Sequence, residues 1–139
     1  MPFQEEDPPY AEPDPELDEL TSATIGAGIE VHKRLGPGLD EGLYAAAMWR
    51  ELRLRNIPFE KEVIVKVEYK GEVIGTKRID MIIGGRIVVE LKVVEALSPL
   101  HKAQLRTYLK ITHLKVGLLI NFNSIILKDG IKRVINPAG

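Results

Sequence analysis

Cysteine is absent from the 139-residue chain, which excludes a disulfide framework, a thiolate nucleophile and a zinc–thiolate site together. Aromatic residues make up only 6% of it. No apolar run approaches the roughly 18 to 20 residues that a membrane span needs. The opening stretch, Met1 to Asp7, has neither the basic end nor the apolar core of a secretory signal. These absences predict a cytoplasmic protein with no membrane partner. The three histidines, His32, His101 and His113, stand at no metal-ligand spacing. Ser22, Ser98 and Ser124 lack His and Asp partners at a recognisable spacing, and Gly36-Pro37-Gly38 lacks the Gly-Lys-Ser/Thr of a phosphate-binding loop.

Net charge is also nearly missing, at -1, but the average conceals a division. Residues 1–20 hold eight acids, no Lys or Arg, and five of the nine prolines. Residues 21–139 hold 12 acidic against 19 basic residues, a formal charge of +7. The first segment is expected to be a mobile acidic tail, either solubilising or folding over a basic surface in competition with nucleic acid. The remainder, 21–139, suits a single domain whose basic surface attracts polyanions.

Periodicity gives the order of elements. Thr21 or Ser22 can cap a first helix carrying Ile25, Ile29, His32 and Leu35, which Gly36-Pro37-Gly38 stops. A second helix is expected from about Leu39 to Arg55, with Leu43, Ala46, Ala47, Leu52 and Leu54 as its apolar positions and Trp49 in the core. Alternation from Glu60 predicts a meander of three strands, turning at Tyr69-Lys70-Gly71-Glu72 and Gly84-Gly85 and ending near Val94. Ser98-Pro99 starts a third helix running to about Thr112. Lys115 to Phe122 and a short pair, Ser124 to Lys128 and Ile131 to Ile135, complete an αα-βββ-α-ββ order, an α/β or α+β domain on one mixed sheet.

The register of the Gly84-Gly85 hairpin decides where its acids go. A two-residue turn would leave Asp80 alone in an apolar layer, an expensive burial. A three-residue loop, Gly84-Gly85-Arg86, instead pairs Ile83 with Ile87 and therefore Asp80 with Glu90. One face is then Ile79, Met81, Ile83, Ile87, Val89, Leu91 and Val93, and the other gathers Arg78, Asp80, Glu90 and Lys92. Two ionised carboxylates about 4 Å apart repel by roughly 4 kcal/mol at an effective dielectric of about 20, so a cation is required. Lys92 and Arg78 supply it in a solvated salt-bridge cluster. A bound hard dication, Mg²⁺ or Mn²⁺, supplies it in a metal site. Glu41 opens the second helix with Tyr44 one turn later, and Gln104 and Tyr108 lie one turn apart on the third.

Gly38-Leu39-Asp40-Glu41-Gly42-Leu43-Tyr44, followed in order by Asp80, Glu90-Leu91-Lys92 and Gln104-Leu105-Arg106-Thr107-Tyr108, resembles the GxxExxY proteins of the PD-(D/E)XK nuclease superfamily. The proline that usually precedes the aspartate is replaced by Ile79. The resemblance implies a restriction-endonuclease-like core, a mixed sheet flanked by helices, and Mg²⁺- or Mn²⁺-dependent hydrolysis of a phosphodiester, DNA above all. It implies Asp80, Glu90 and the Leu91 carbonyl as metal ligands and Lys92 as the group that orients or activates water. Glu41 and Gln104 would complete the catalytic set, with Tyr44, Tyr108, Arg78 and His101 beside the substrate or behind the site. A homodimer follows by analogy with nucleases that cut two strands. The alternative from another class is a non-catalytic nucleic-acid-binding or protein-interaction module on the same fold.

Overall fold

A computed structural model describes residues 4–5 and 14–137. Its elements are β1 (Gln4–Glu5), α1 (Pro15–Leu35), α2 (Glu41–Leu54), β2 (Phe59–Tyr69), β3 (Glu72–Ile83), β4 (Ile87–Lys92), α3 (Pro99–Thr112), β5 (Val116–Asn121) and β6 (Ile131–Ile135). The six strands form one sheet in the order β1-β6-β5-β4-β3-β2. β4 and β5 run parallel, joined through α3, while β2–β3, β3–β4 and β5–β6 are antiparallel. The expected mixed α/β sheet is therefore present. No helix among the described residues is long and apolar enough to cross a membrane.

Two apolar layers hold the sheet. On one face α1 and α2 bury Ala27, Val31, Met48 and Leu52 against Met81, Ile83, Val89, Leu118 and Ile120. On the other α3 lays Leu105, Tyr108 and Leu109 over Ile79, Ile82, Val88 and Leu119. Gly117 on β5 lets α3 approach, because a Cβ there would sit 2.8 Å from Leu105 Cγ.

Several elements differ from expectation. α1 starts at Pro15, with Asp14 as N-cap accepting from the Leu17 amide at 3.1 Å, not after Thr21 or Ser22. Leu17 is buried and extends the apolar stripe back into the stretch assigned to the tail. Glu16 and Asp18 sit at the positive end of the helix dipole, where acids stabilise, so a run that looks too acidic to fold is suited to a first turn. Asp14 also pairs with Arg86 of the β3–β4 turn. Of the remaining tail, only Gln4–Glu5 is described; residues 1–3 and 6–13 lie outside the described residues.

α2 buries Tyr44, Ala45, Met48 and Leu52, while Leu43 and Leu54 are exposed. Trp49 is half-buried against the core with Lys61 Nζ 5.0 Å from its ring centre. Residues 124–128 form no strand. Ser124 turns back on Asn121, and a short 3₁₀ turn spans Leu127–Gly130.

The decisive hairpin has the expected register, with Ile83 opposite Ile87, Ile82 opposite Val88 and Met81 opposite Val89. Gly84 and Gly85 take positive φ angles of 57° and 68°, closed by a 2.9 Å bond from the Arg86 amide to the Ile83 carbonyl. Ile79, expected on the face of Met81 and Ile83, packs instead on the α3 side. The face changes on β2 at the same level, since Phe59 packs on the helix-pair side and Val63 on the α3 side. Between them Glu62 adopts a left-handed φ of 52°. Both strands thus roll over at Glu62 and Asp80, and β3 parts from β4 there.

Candidate active site

The fork between β3 and β4 is where the candidate acids Asp80 and Glu90 meet. Beyond Met81 and Val89 no backbone pair continues the β3–β4 ladder. The side chains continue it instead. The Asp80 amide donates to Glu90 Oε1 at 3.1 Å, and the Leu91 amide donates to Asp80 Oδ2 at 2.8 Å. Each acid is thereby pinned by the other strand, which fixes the pair at the vertex of the opening.

Burial and proximity work against ionising both. Glu90, 7% exposed, is pushed up to about 8, first by burial and then by the Asp80 charge, against the opposing pull of the Asp80 amide and Lys92. Asp80 is also raised by burial, although the Leu91 amide, Lys92 and Arg78 favour its charged form. Glu41, at the first turn of α2, is raised by burial and by Asp80 and is held back by Lys92 and Arg78. Tyr108 on α3 is raised by burial and then by the Glu90 and Asp80 charges. Glu41, Asp80, Glu90, Lys92, Arg78 and Tyr108 therefore share one electrostatic neighbourhood, drawn from α2, β3, β4 and α3.

Other candidate residues are placed differently. Tyr44 is fully buried, stacked on Phe122 with ring centres 4.5 Å apart. Its hydroxyl donates to the Gly36 carbonyl and accepts from the Leu39 amide at 3.2 Å. It thus fastens the Gly36-Pro37-Gly38 break, from which Glu41 is presented. His101 caps α3: its Nδ1 accepts from the Ser98 amide at 3.0 Å, while Ser98 Oγ accepts from the His101 amide at 3.2 Å. Gln104 is half-buried one turn before Tyr108, which itself belongs to the buried face of α3. Arg78 is exposed and pairs with Glu62 at 3.1 Å. His32 bonds the Ser124 carbonyl at 2.7 Å, a structural use.

Sequence reasoning missed Asn121. Buried at the end of β5 opposite Lys92, it accepts from the Val94 amide at 3.1 Å and donates to the Val94 carbonyl at 2.8 Å. The Phe122 amide donates to the Lys92 carbonyl at 2.9 Å. Together they clasp the chain just beyond Lys92. The available signal is a lone amide closing the apolar run Val116 to Ile120.

Among the described residues no group of three or more His, Asp or Glu side chains is placed to hold a metal ion. Asp80 and Glu90 are nonetheless an all-oxygen donor pair whose charges burial and mutual repulsion disfavour. Hard dications that keep part of their water shell take such open oxygen sites, and their charge relieves that repulsion. The residues present fit Mg²⁺ or Mn²⁺ in this respect.

The chain resembles a solved structure described as the crystal structure of SSO0001, with a TM-score of 0.53 and 22% identity over 90% of this chain. The likeness covers 60% of that protein and speaks for the fold. None of the curated proteins compared matches the chain. The family profile of the PD-(D/E)XK nuclease superfamily matches residues 18–134, from the first turn of α1 to β6. With an α/β restriction-endonuclease-like sheet that carries its acids at a strand fork, the chain belongs to the PD-(D/E)XK nuclease superfamily.

Proposed function

We propose that this chain is a metal-dependent nuclease of the GxxExxY kind, hydrolysing phosphodiester bonds in DNA at the β3–β4 fork. The observation that carries the reading is the reciprocal pinning of Asp80 and Glu90 across the fork, with Lys92 next on the same face of β4. A salt-bridge cluster alone accounts poorly for it, because Arg78 is committed to Glu62 on the exposed side and Glu90 stays buried.

Asp80, Glu90 and the Leu91 carbonyl would hold the ion. When bound, a dication polarises the phosphodiester and makes water a better nucleophile. The chain's own groups supply the rest. Lys92 places a fixed positive charge where negative charge develops on the phosphoryl oxygens, and it holds the attacking water by hydrogen bonding. Glu41 brings a third carboxylate from the start of α2, and its proton affinity is raised by burial and by Asp80, which suits it to take a proton from the attacking water. Gln104 and Tyr108 line the α3 side with neutral hydrogen-bonding groups. The Asn121 and Phe122 clasp keeps Lys92 from swinging with the loop that follows it.

The experiment is cleavage of plasmid and linear duplex DNA by the full chain with Mg²⁺ or Mn²⁺, beside Lys92→Ala. Metal-dependent cleavage that the variant loses while still binding DNA supports the reading. Equal cleavage by both proteins contradicts the assigned role of Lys92. Binding with no cleavage by the parent protein leaves a nucleic-acid-binding module on a nuclease fold.

A further inference from the structure

The β2–β3 ribbon continues well beyond the fork. Every residue from Glu68 to Arg78 is exposed, and Ile64 and Ile74 show 60% and 64% of their surface. At about 3.3 Å per residue the ribbon runs about 30 Å from Asp80 to its Lys70-Gly71 turn. A two-stranded ribbon without cover adds little stability, so packing does not explain its length.

Its charges are distributed unlike those of a flat contact surface. Between residues 64 and 78 four basic residues, Lys66, Lys70, Lys77 and Arg78, stand against two acids, Glu68 and Glu72. Lys66, Lys70 and Lys77 form no ion pair among the described residues. Val65 lies opposite Lys77 and Lys66 opposite Thr76, which puts Lys66 and Lys77 on opposite faces, with Lys70 at the tip. Cations on both faces and the tip suit an environment walled by negative charge on both sides.

We propose that the ribbon lies in the major groove of a B-form DNA duplex, holding it so that one backbone reaches Asp80 and Glu90. The placement of that backbone rests on the nuclease reading. The B-DNA major groove, about 12 Å wide, admits a two-stranded ribbon, whereas the deep, narrow major groove of A-form RNA does not. The ribbon therefore selects duplex DNA over duplex RNA, with its lysines on phosphates of both groove walls.

The test measures binding of the full chain in EDTA to a DNA duplex and to an RNA duplex of the same sequence, by fluorescence anisotropy across 50–200 mM salt. The parent is compared with a variant carrying Lys66→Ala, Lys70→Ala and Lys77→Ala, whose fold is checked by thermal melting and whose oligomeric state by sedimentation. The expected result is tighter binding to DNA than to RNA, and at least about a tenfold loss of DNA affinity in the variant. The slope of log affinity against log salt should flatten by about 2 to 3. Unchanged DNA affinity and slope overturn the proposal, as does equal loss on both duplexes. A change in oligomeric state with DNA binding intact also overturns it and makes the ribbon an interface between copies. Parent cleavage with Mg²⁺ is read separately. Its absence, with lysine-dependent DNA binding retained, fails the nuclease reading alone, and intact cleavage with lysine-independent binding fails the ribbon alone.

Discussion

The two ends of β3 are built for different purposes. From Met81 to Ile83 the strand is paired on both sides and buried between two helical layers. From Glu72 to Arg78 it is paired on one side only and open to solvent on both faces. Burial explains the first half and leaves the second without a structural reason. Asp80 sits where one becomes the other, at the level where Glu62 adopts a left-handed backbone and both strands roll over. Such local distortions cost energy and collect beside functional sites, where they re-aim side chains. Here the roll brings a carboxylate of one strand onto the amide of the other.

The largest effect is expected where chemistry is removed and structure kept. Lys92→Ala should lower the cleavage rate by about 100-fold to 1,000-fold, the usual effect of losing one group that stabilises transition-state charge, with little change in thermal melting. Next is the buried half of the strand. Met81→Ala should destabilise by about 2 to 5 kcal/mol in urea unfolding.

Glu90→Gln separates stability from function within the fork. Because the folded protein holds the Glu90 proton up to about pH 8, against an ordinary value of 4.5, it binds protons more tightly than the unfolded chain between those limits. The contribution from this group is therefore full below about 4.5 and is lost as pH rises through about 8, at no more than about 1.4 kcal/mol per pH unit. Without metal the variant should melt higher than the parent at pH 8 and match it near pH 4, and with Mg²⁺ present it should cut no DNA. A variant that melts lower at pH 8 would show that the charge of Glu90 is compensated within the fold.

Smaller effects remain. Tyr44→Phe keeps the stack on Phe122 but orphans the Gly36 carbonyl and the Leu39 amide, for about 1 to 3 kcal/mol in unfolding experiments. On the open half of β3, Ile74→Ala should change stability by less than about 0.5 kcal/mol. A larger loss would mean that the ribbon is covered.

The Asp80–Glu90 juxtaposition was legible because two glycines and the cost of burying a lone acid leave one sensible register. The Ser98 cap was legible because Ser-Pro at a helix start has few other uses. The start of α1 was hidden by prolines and acids whose favourable interaction with a helix dipole appears only once the helix exists. The displacement of Ile79 could not be read, since it depends on a left-handed Glu62, and glutamate carries no signal for that conformation. Spacing puts Tyr44 beside Glu41, but the path of the chain before α2 sends its hydroxyl to the preceding loop, which no spacing reveals.

Whether Asp80 and Glu90 hold a dication is decided by calorimetric titration of Mn²⁺ into the full chain at pH 7, in two buffers of different protonation enthalpy. The expected result is one Mn²⁺ per chain, bound with release of a proton as Glu90 ionises, and loss of that binding in Asp80→Asn. No binding by the parent chain, or binding that Asp80→Asn leaves unchanged, would contradict it.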